Sequence, residues 1–207
     1  MRPGSDLCNW GKITLCVDII EREHVYNAST LTVCKNTTLS LGARRLTLNW
    51  ESGYKLVNNG TIETSLNPCI NSMTYSGSGK IVGFASDRET LESMAEFCSE
   101  IYLTCDIKID VDIDNKEYGR LELCVGAQSI SKECTIDLCG YTLDLYIIVS
   151  TENAPLEIKN GTLGSLDKSP AVLGVGSENS FVLRNLKIYG MNPEVESIAE
   201  IYNCEII

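Results

Sequence analysis

The sequence has one histidine, His24, and no pair of cysteines in C-x-x-C spacing, so the common zinc-ligand patterns are missing and no metal site is expected from them. Long apolar runs are missing too. No stretch approaches the roughly 20 residues that a membrane helix needs, which sets membranes aside as partners. The first residues, Met1 to Trp10, lack the basic-then-apolar layout of a secretory signal; the expectation is a chain made without one, or one that has lost it. Positive charge is scarce: 17 Lys and Arg stand against 28 Asp and Glu, a formal net charge of −11. Such a chain repels phosphate backbones, so nucleic acid is not an expected partner.

What is present points to a packed chain. With 207 residues and 43% hydrophobic content, it can bury a sizeable core and is not a disordered polymer. Ten cysteines would suit disulfides. However, Cys16 in Thr14-Leu15-Cys16-Val17 and Cys124 in Leu123-Cys124-Val125 sit in strand-like runs, where a thiol serves as a small buried hydrophobe. Free buried thiols are the leading reading and disulfides the second.

A short motif recurs, of the form apolar, any, Asn, any, polar, apolar. It reads Ile158-Lys159-Asn160-Gly161-Thr162-Leu163, then Leu183-Arg184-Asn185-Leu186-Lys187-Ile188, then Ile201-Tyr202-Asn203-Cys204-Glu205-Ile206. Leu138-Cys139-Gly140-Tyr141-Thr142-Leu143 fits with Gly in the Asn place, and the starts are 20, 25 and 18 residues apart. Cys34-Lys35-Asn36-Thr37-Thr38-Leu39, Val57-Asn58-Asn59-Gly60-Thr61-Ile62 and the looser Ser76-Gly77-Ser78-Gly79-Lys80-Ile81 repeat it at steps of 23 and 19. Irregular copies are expected near Leu103 and Leu121.

A bend residue between two short strands must turn left-handed, and Asn and Gly tolerate this best. A winding of this length cannot bury its own apolar face, whereas stacked windings can. The corner side chains of Asn36, Asn59, Asn160, Asn185 and Asn203 are then expected to form a structural ladder of stacked amides. Unequal steps imply loops leaving at corners, with Thr151 to Pro155 and Gly174 to Asn179 as candidates.

One segment breaks the pattern. Ser86-Asp87-Arg88-Glu89 reads as a capping box, and Leu91, Met94, Ala95 and Cys98 follow helical spacing. The prediction is an inserted helix over residues 87–100, either between coils or across them as a lid.

Phe181-Val182-Leu183-Arg184-Asn185-Leu186-Lys187-Ile188 and Thr135-Ile136-Asp137-Leu138-Cys139-Gly140-Tyr141-Thr142-Leu143 resemble the coil signature of pectin-lyase-like right-handed parallel β-helix proteins. That resemblance implies an all-β solenoid, and the repeat spacing gives it about eight to ten coils over a single 1–207 domain. The superfamily holds polysaccharide lyases and hydrolases, phage tail spikes and bacterial adhesins. The Asn-Thr-Asp, Asp-Asp, Gly-His-Gly and Arg-Ile-Lys elements of its polygalacturonase-like enzymes do not occur in the sequence. Nor does the Trp-x-Asp-His of the pectate lyases.

Two sets of residues could carry chemistry. Asp110, Asp112 and Asp114 alternate with Ile109, Val111 and Ile113, so they share one strand face. They are the candidates for a Ca²⁺ site or for an acid–base pair acting on glycosides, beside the plainer reading of a solvated face. Tyr141 and Tyr189 fall near repeat corners and are candidates for stacking against sugar rings. Asn27, Asn36, Asn59 and Asn160 begin glycosylation sequons. Three of the four are ladder positions, so a structural role is expected there first.

The last repeat stops at Ile206-Ile207. The expectation is a fragment of a longer chain, or an end covered by another subunit. The leading functional reading is a structural or adhesive solenoid of a viral or phage tail spike or fibre, or of a cell-surface adhesin, contacting glycans at the virion or cell surface. The first alternative is a polysaccharide lyase or glycoside hydrolase with its carboxylates in a lateral groove. The second is a purely structural subunit that binds only copies of itself.

Overall fold

The computed structural model describes residues 7–8, 12–15, 26–27, 30–42, 55–66, 74–108, 120–125, 133–144, 146–150, 154–165, 172–176, 180–191 and 199–207. They belong to two compact units, Met1–Phe84 and Ala85–Ile207. In each, short strands stack in parallel, winding upon winding, as a parallel β-solenoid.

In the first unit Lys12–Leu15, Thr30–Val33, Lys55–Asn58 and Thr74–Ser76 pair in that order. A second row runs Thr38–Ser40, Thr61–Thr64, Lys80–Ala85. The period of two decides what is inside: Leu31 and Val33 are buried, while Thr30 and Thr32 are half-buried. The register sets Leu31 beside Leu56, Leu39 beside Ile62, and Ile62 beside Ile81, all of them buried. Each such side chain stabilises the stack by about 1.5–3 kcal/mol relative to exposure.

In the second unit the first row is Glu100–Leu103, Cys134–Asp137, Leu156–Leu163, Phe181–Ile188 and Glu200–Tyr202, giving five windings. The later halves of Leu156–Leu163 and Phe181–Ile188 also enter a second row, with Ile107–Lys108 and Thr142–Asp144 on one side and Glu205–Ile206 on the other. A third row pairs Arg120–Cys124, Tyr146–Ser150 and Val172–Gly176. Gly174 to Gly176 are therefore strand residues; the loop expected from Gly174 does not begin there, because the row continues through them. Ile101, Ile136, Ile158 and Leu183 stack as one buried column, and Leu143, Leu163 and Ile188 as another.

The inserted helix is shorter than the sequence predicts. It spans Arg88–Ala95, and its N-cap is Asp87 rather than Ser86. Asp87 Oδ1 accepts from the Thr90 backbone N–H at 2.8 Å and from the Thr90 hydroxyl at 2.7 Å. The helix buries Leu91, Met94 and Ala95 and packs on Arg120–Cys124 and Glu100–Leu103. Past Ala95 the last turn tightens, with the Phe97 N–H reaching back three residues to the Met94 carbonyl, and Phe97 and Cys98 turn inward, fully buried, before the strand at Glu100. No helix among the described residues is long and apolar enough to cross a membrane.

Candidate functional site

The corners come first, since they hold the strands in place. Asn36, Asn160, Asn185 and Asn203 all have left-handed backbones, with φ between 52° and 60°. In the second unit Asn203 Nδ2 donates to Asn185 Oδ1 at 2.9 Å, and Asn185 Nδ2 to Asn160 Oδ1 at 3.1 Å. Asn160 Nδ2 in turn donates to Asp137 Oδ2 at 2.9 Å. The carboxylate of Asp137 ends the ladder, because it only accepts. In this winding the left-handed residue is Cys139, φ 53°, ahead of Gly140 at 87°. Asp137 Oδ1 also accepts the Cys139 N–H at 2.9 Å.

Asn59 departs from the expected ladder. It has no left-handed φ, and its Oδ1 accepts from the Ser78 N–H at 3.4 Å. Its neighbour Asn58, the last residue of its strand, bonds to the next winding instead. Asn58 is fully buried, donates to the Lys80 carbonyl at 3.1 Å and to the Tyr75 hydroxyl at 3.3 Å, and accepts from the Gly60 N–H at 3.1 Å.

Gly follows the bend in the copies at 59 and 160 for a separate reason. A Cβ on Gly161 would lie 2.5 Å from both Leu138 Cβ and the Tyr141 carbonyl oxygen, and one on Gly60 would strike the Thr37 and Cys34 carbonyls.

With the corners fixed, the outward residues of the first row in the second unit form two columns. One reads Glu100, Thr135, Glu157, Val182, Glu200; the other reads Tyr102, Asp137, Lys159, Arg184, Tyr202. Their side chains are joined across and along the windings. Arg184 Nε donates to Glu157 Oε1 at 2.6 Å, and its guanidinium carbon lies 4.7 Å from the centre of the Tyr202 ring. The Tyr202 hydroxyl donates to Glu200 Oε2 at 2.8 Å, and the Tyr102 hydroxyl to Glu100 Oε2 at 3.1 Å.

These contacts shift proton affinities. The hydrogen bond to Glu200 raises the Tyr202 phenol above its ordinary value. Burial, then the Glu100 charge, raises that of Tyr102. The bond to Glu157 holds the Arg184 proton more firmly. Beside this pair lies a groove of about 250 Å³, lined by Glu133, Thr135, Pro155, Glu157, Val182 and Arg184 among others.

The face is thus a rigid sheet with tethered phenols, one guanidinium and several carboxylates. It offers hydrogen bonds of both senses and aromatic surface, which is the chemistry that holds sugars.

Asp110, Asp112 and Asp114 lie outside the described residues. Asp106, just before them, accepts the Thr142 N–H at 2.8 Å and pairs with Lys108 at 3.4 Å. Tyr141 is exposed where the chain enters Thr142–Asp144, and Tyr189 is half-buried where it leaves Phe181–Ile188. Lys187 Nζ sits 5.2 Å from the centre of the Tyr189 ring. The two tyrosines flank the second row at opposite ends and do not come together. Among the described residues no group of three or more His, Cys, Asp or Glu is placed to hold a metal ion.

Sequence reading missed Glu157, Arg184 and Tyr102, while Tyr202 stood out only as one of the aromatics scattered along the coils. A signal existed for the two tyrosines alone: Glu100-Ile101-Tyr102 and Glu200-Ile201-Tyr202 are the same tripeptide at the first and fifth windings.

No known protein family, curated protein or solved structure matches the chain. The class that fold and face define is the parallel β-solenoid with a polar, aromatic lateral face.

Proposed function

We propose that this chain is a structural, adhesive β-solenoid that contacts glycans through the lateral face of its second unit. This extends the resemblance to pectin-lyase-like proteins toward the tail spikes, fibres and surface adhesins of that superfamily, with the virion or cell surface as the place of work. The observation that carries the reading is the Arg184 guanidinium, fixed between Glu157 and the Tyr202 ring on an outward sheet face. Preorganised donors, acceptors and aromatic surface on a rigid scaffold bind sugars at low entropic cost.

The test is a glycan array probed with the full chain, followed by a reducing-end assay on every bound polysaccharide. Binding without release of new ends supports the proposal. Release of new ends replaces it with the lyase or hydrolase alternative. A stable homo-oligomer in light scattering that binds no glycan replaces it with a self-assembling subunit.

A further inference from the structure

We infer that Glu157 and Arg184 together grip a vicinal diol of an uncharged hexopyranose seated in the groove beside them; this rests on the glycan reading above. Arg184 uses Nε for Glu157 Oε1 and lays its plane near the Tyr202 ring. Its terminal nitrogens make no other hydrogen bond among the described residues, and neither does Glu157 Oε2. The pair is reachable, with side chains 44% and 27% exposed. A fixed donor fork therefore stands next to a fixed acceptor oxygen.

A vicinal diol is the complement of this arrangement. Each hydroxyl can accept from the guanidinium while donating to the carboxylate, and the spacing of adjacent ring hydroxyls matches a side-by-side Arg–carboxylate pair. The groove supplies the rest: Pro155 and Val182 give apolar contact for ring C–H groups, and Thr135 and Ser180 give hydroxyls.

Charge decides the class of sugar. Glu133 and Glu157 line the groove, and Asp137 and Glu200 flank it, against Lys159 and Arg184. Carboxylates outnumber cations, and Arg184 is already paired. A uronate, sialate or sulfated sugar would bring a charge of the majority sign, whereas a neutral ring meets no such repulsion.

The experiment is a saturation-transfer NMR titration of the full chain. Its ligands are neutral methyl hexopyranosides and disaccharides, the corresponding uronates, and di-O-methyl derivatives that block each vicinal diol. At least one neutral sugar is expected to bind, with millimolar dissociation. Its uronate and its diol-blocked form should each bind about tenfold more weakly, or not at all.

Arg184→Lys removes the fork and should cost a similar factor. Val182→Trp fills the groove from an outward position without adding a charge beside Glu157, its cross-strand neighbour, and should also abolish binding; it guards against Arg184→Lys merely loosening the fold. Equal or tighter binding of the uronate overturns this inference and leaves the glycan reading standing. Unchanged binding by Val182→Trp likewise overturns the groove alone. Binding of no sugar in the panel or on the array overturns both.

Discussion

Asn185 donates its side-chain amide to Oδ1 of Asn160 across 3.1 Å, although the residues are 25 apart in the chain. Both hold left-handed backbones, so one residue type meets two demands at each corner: the bend and the bond to the next winding. The two demands separate by substitution. Asn185→Gly keeps the bend and loses the ladder, and should destabilise the chain by about 1 kcal/mol. Asn185→Ala loses both, and should cost about 2–3 kcal/mol. Urea unfolding of the two variants measures the difference.

Gly161 and Gly140 make a second contrasting pair. A Cβ on Gly161 meets neighbouring atoms at 2.5 Å, while one on Gly140 meets nothing within 4 Å and suffers only the φ of +87°. Gly161→Ala should therefore cost more than about 2 kcal/mol, through displacement of the adjacent winding. Gly140→Ala should cost only about 1 kcal/mol, from backbone strain. Thermal unfolding of both variants ranks them.

The buried thiols give a pH dependence. Burial pushes Cys134 from the ordinary 9.0 up to about 12, and burial beside Cys134 raises Cys98 well above 9.0. The native state thus keeps both protonated, while the unfolded chain ionises near the ordinary value. Their contribution is complete below pH 9 and is lost as pH rises toward the folded values, with a slope of up to about 1.4 kcal/mol per pH unit for each thiol. Urea midpoints at pH 8 and pH 10.5 should differ, and Cys98→Ala/Cys134→Ala should narrow that gap. A thiol reagent at pH 8 should modify Cys124 and Cys139, which are exposed, and spare Cys98 and Cys134 until unfolding.

The helix cap predicts a loss at acid pH. The Thr90 N–H holds the Asp87 carboxyl below its usual value, so its support is present above pH 3.8 and fades as pH falls through the lowered folded value. Asp87→Ala should cost about 1 kcal/mol at neutral pH, and Asp87→Asn markedly less, since the amide oxygen still caps. Circular dichroism melts at pH 7 check both.

The solenoid was legible in the sequence because the bend leaves a chemical mark: few residues besides Asn and Gly turn left-handed cheaply, so Asn160, Asn185 and Asn203 stood out at matching offsets. Asn59 misled because Asn58 beside it offers the same amide. Only the burial of Asn58, bonded to Lys80 and Tyr75, shows which one ties this winding to the next. The helix end was not legible, since no Gly or Pro marks it and Cys98 falls on the helical stripe by spacing alone. The lateral face was hidden for a different reason. Glu157 and Arg184 are 27 residues apart, and only the register across windings makes them neighbours.

One consequence of the corner ladder concerns ageing. Asn-Gly is the dipeptide at which polypeptides deamidate most readily, because the glycine nitrogen attacks the asparagine side-chain carboxamide carbon and ejects its nitrogen as ammonia, closing a succinimide. Asn160-Gly161 is such a dipeptide, yet its side chain is tethered at Nδ2 by Asp137 and at Oδ1 by Asn185. A carboxamide pinned at both atoms cannot swing onto the following nitrogen. The stacking that builds the corner therefore also preserves it chemically, and the folded chain should outlast its own unfolded form at this one of its two Asn-Gly bonds.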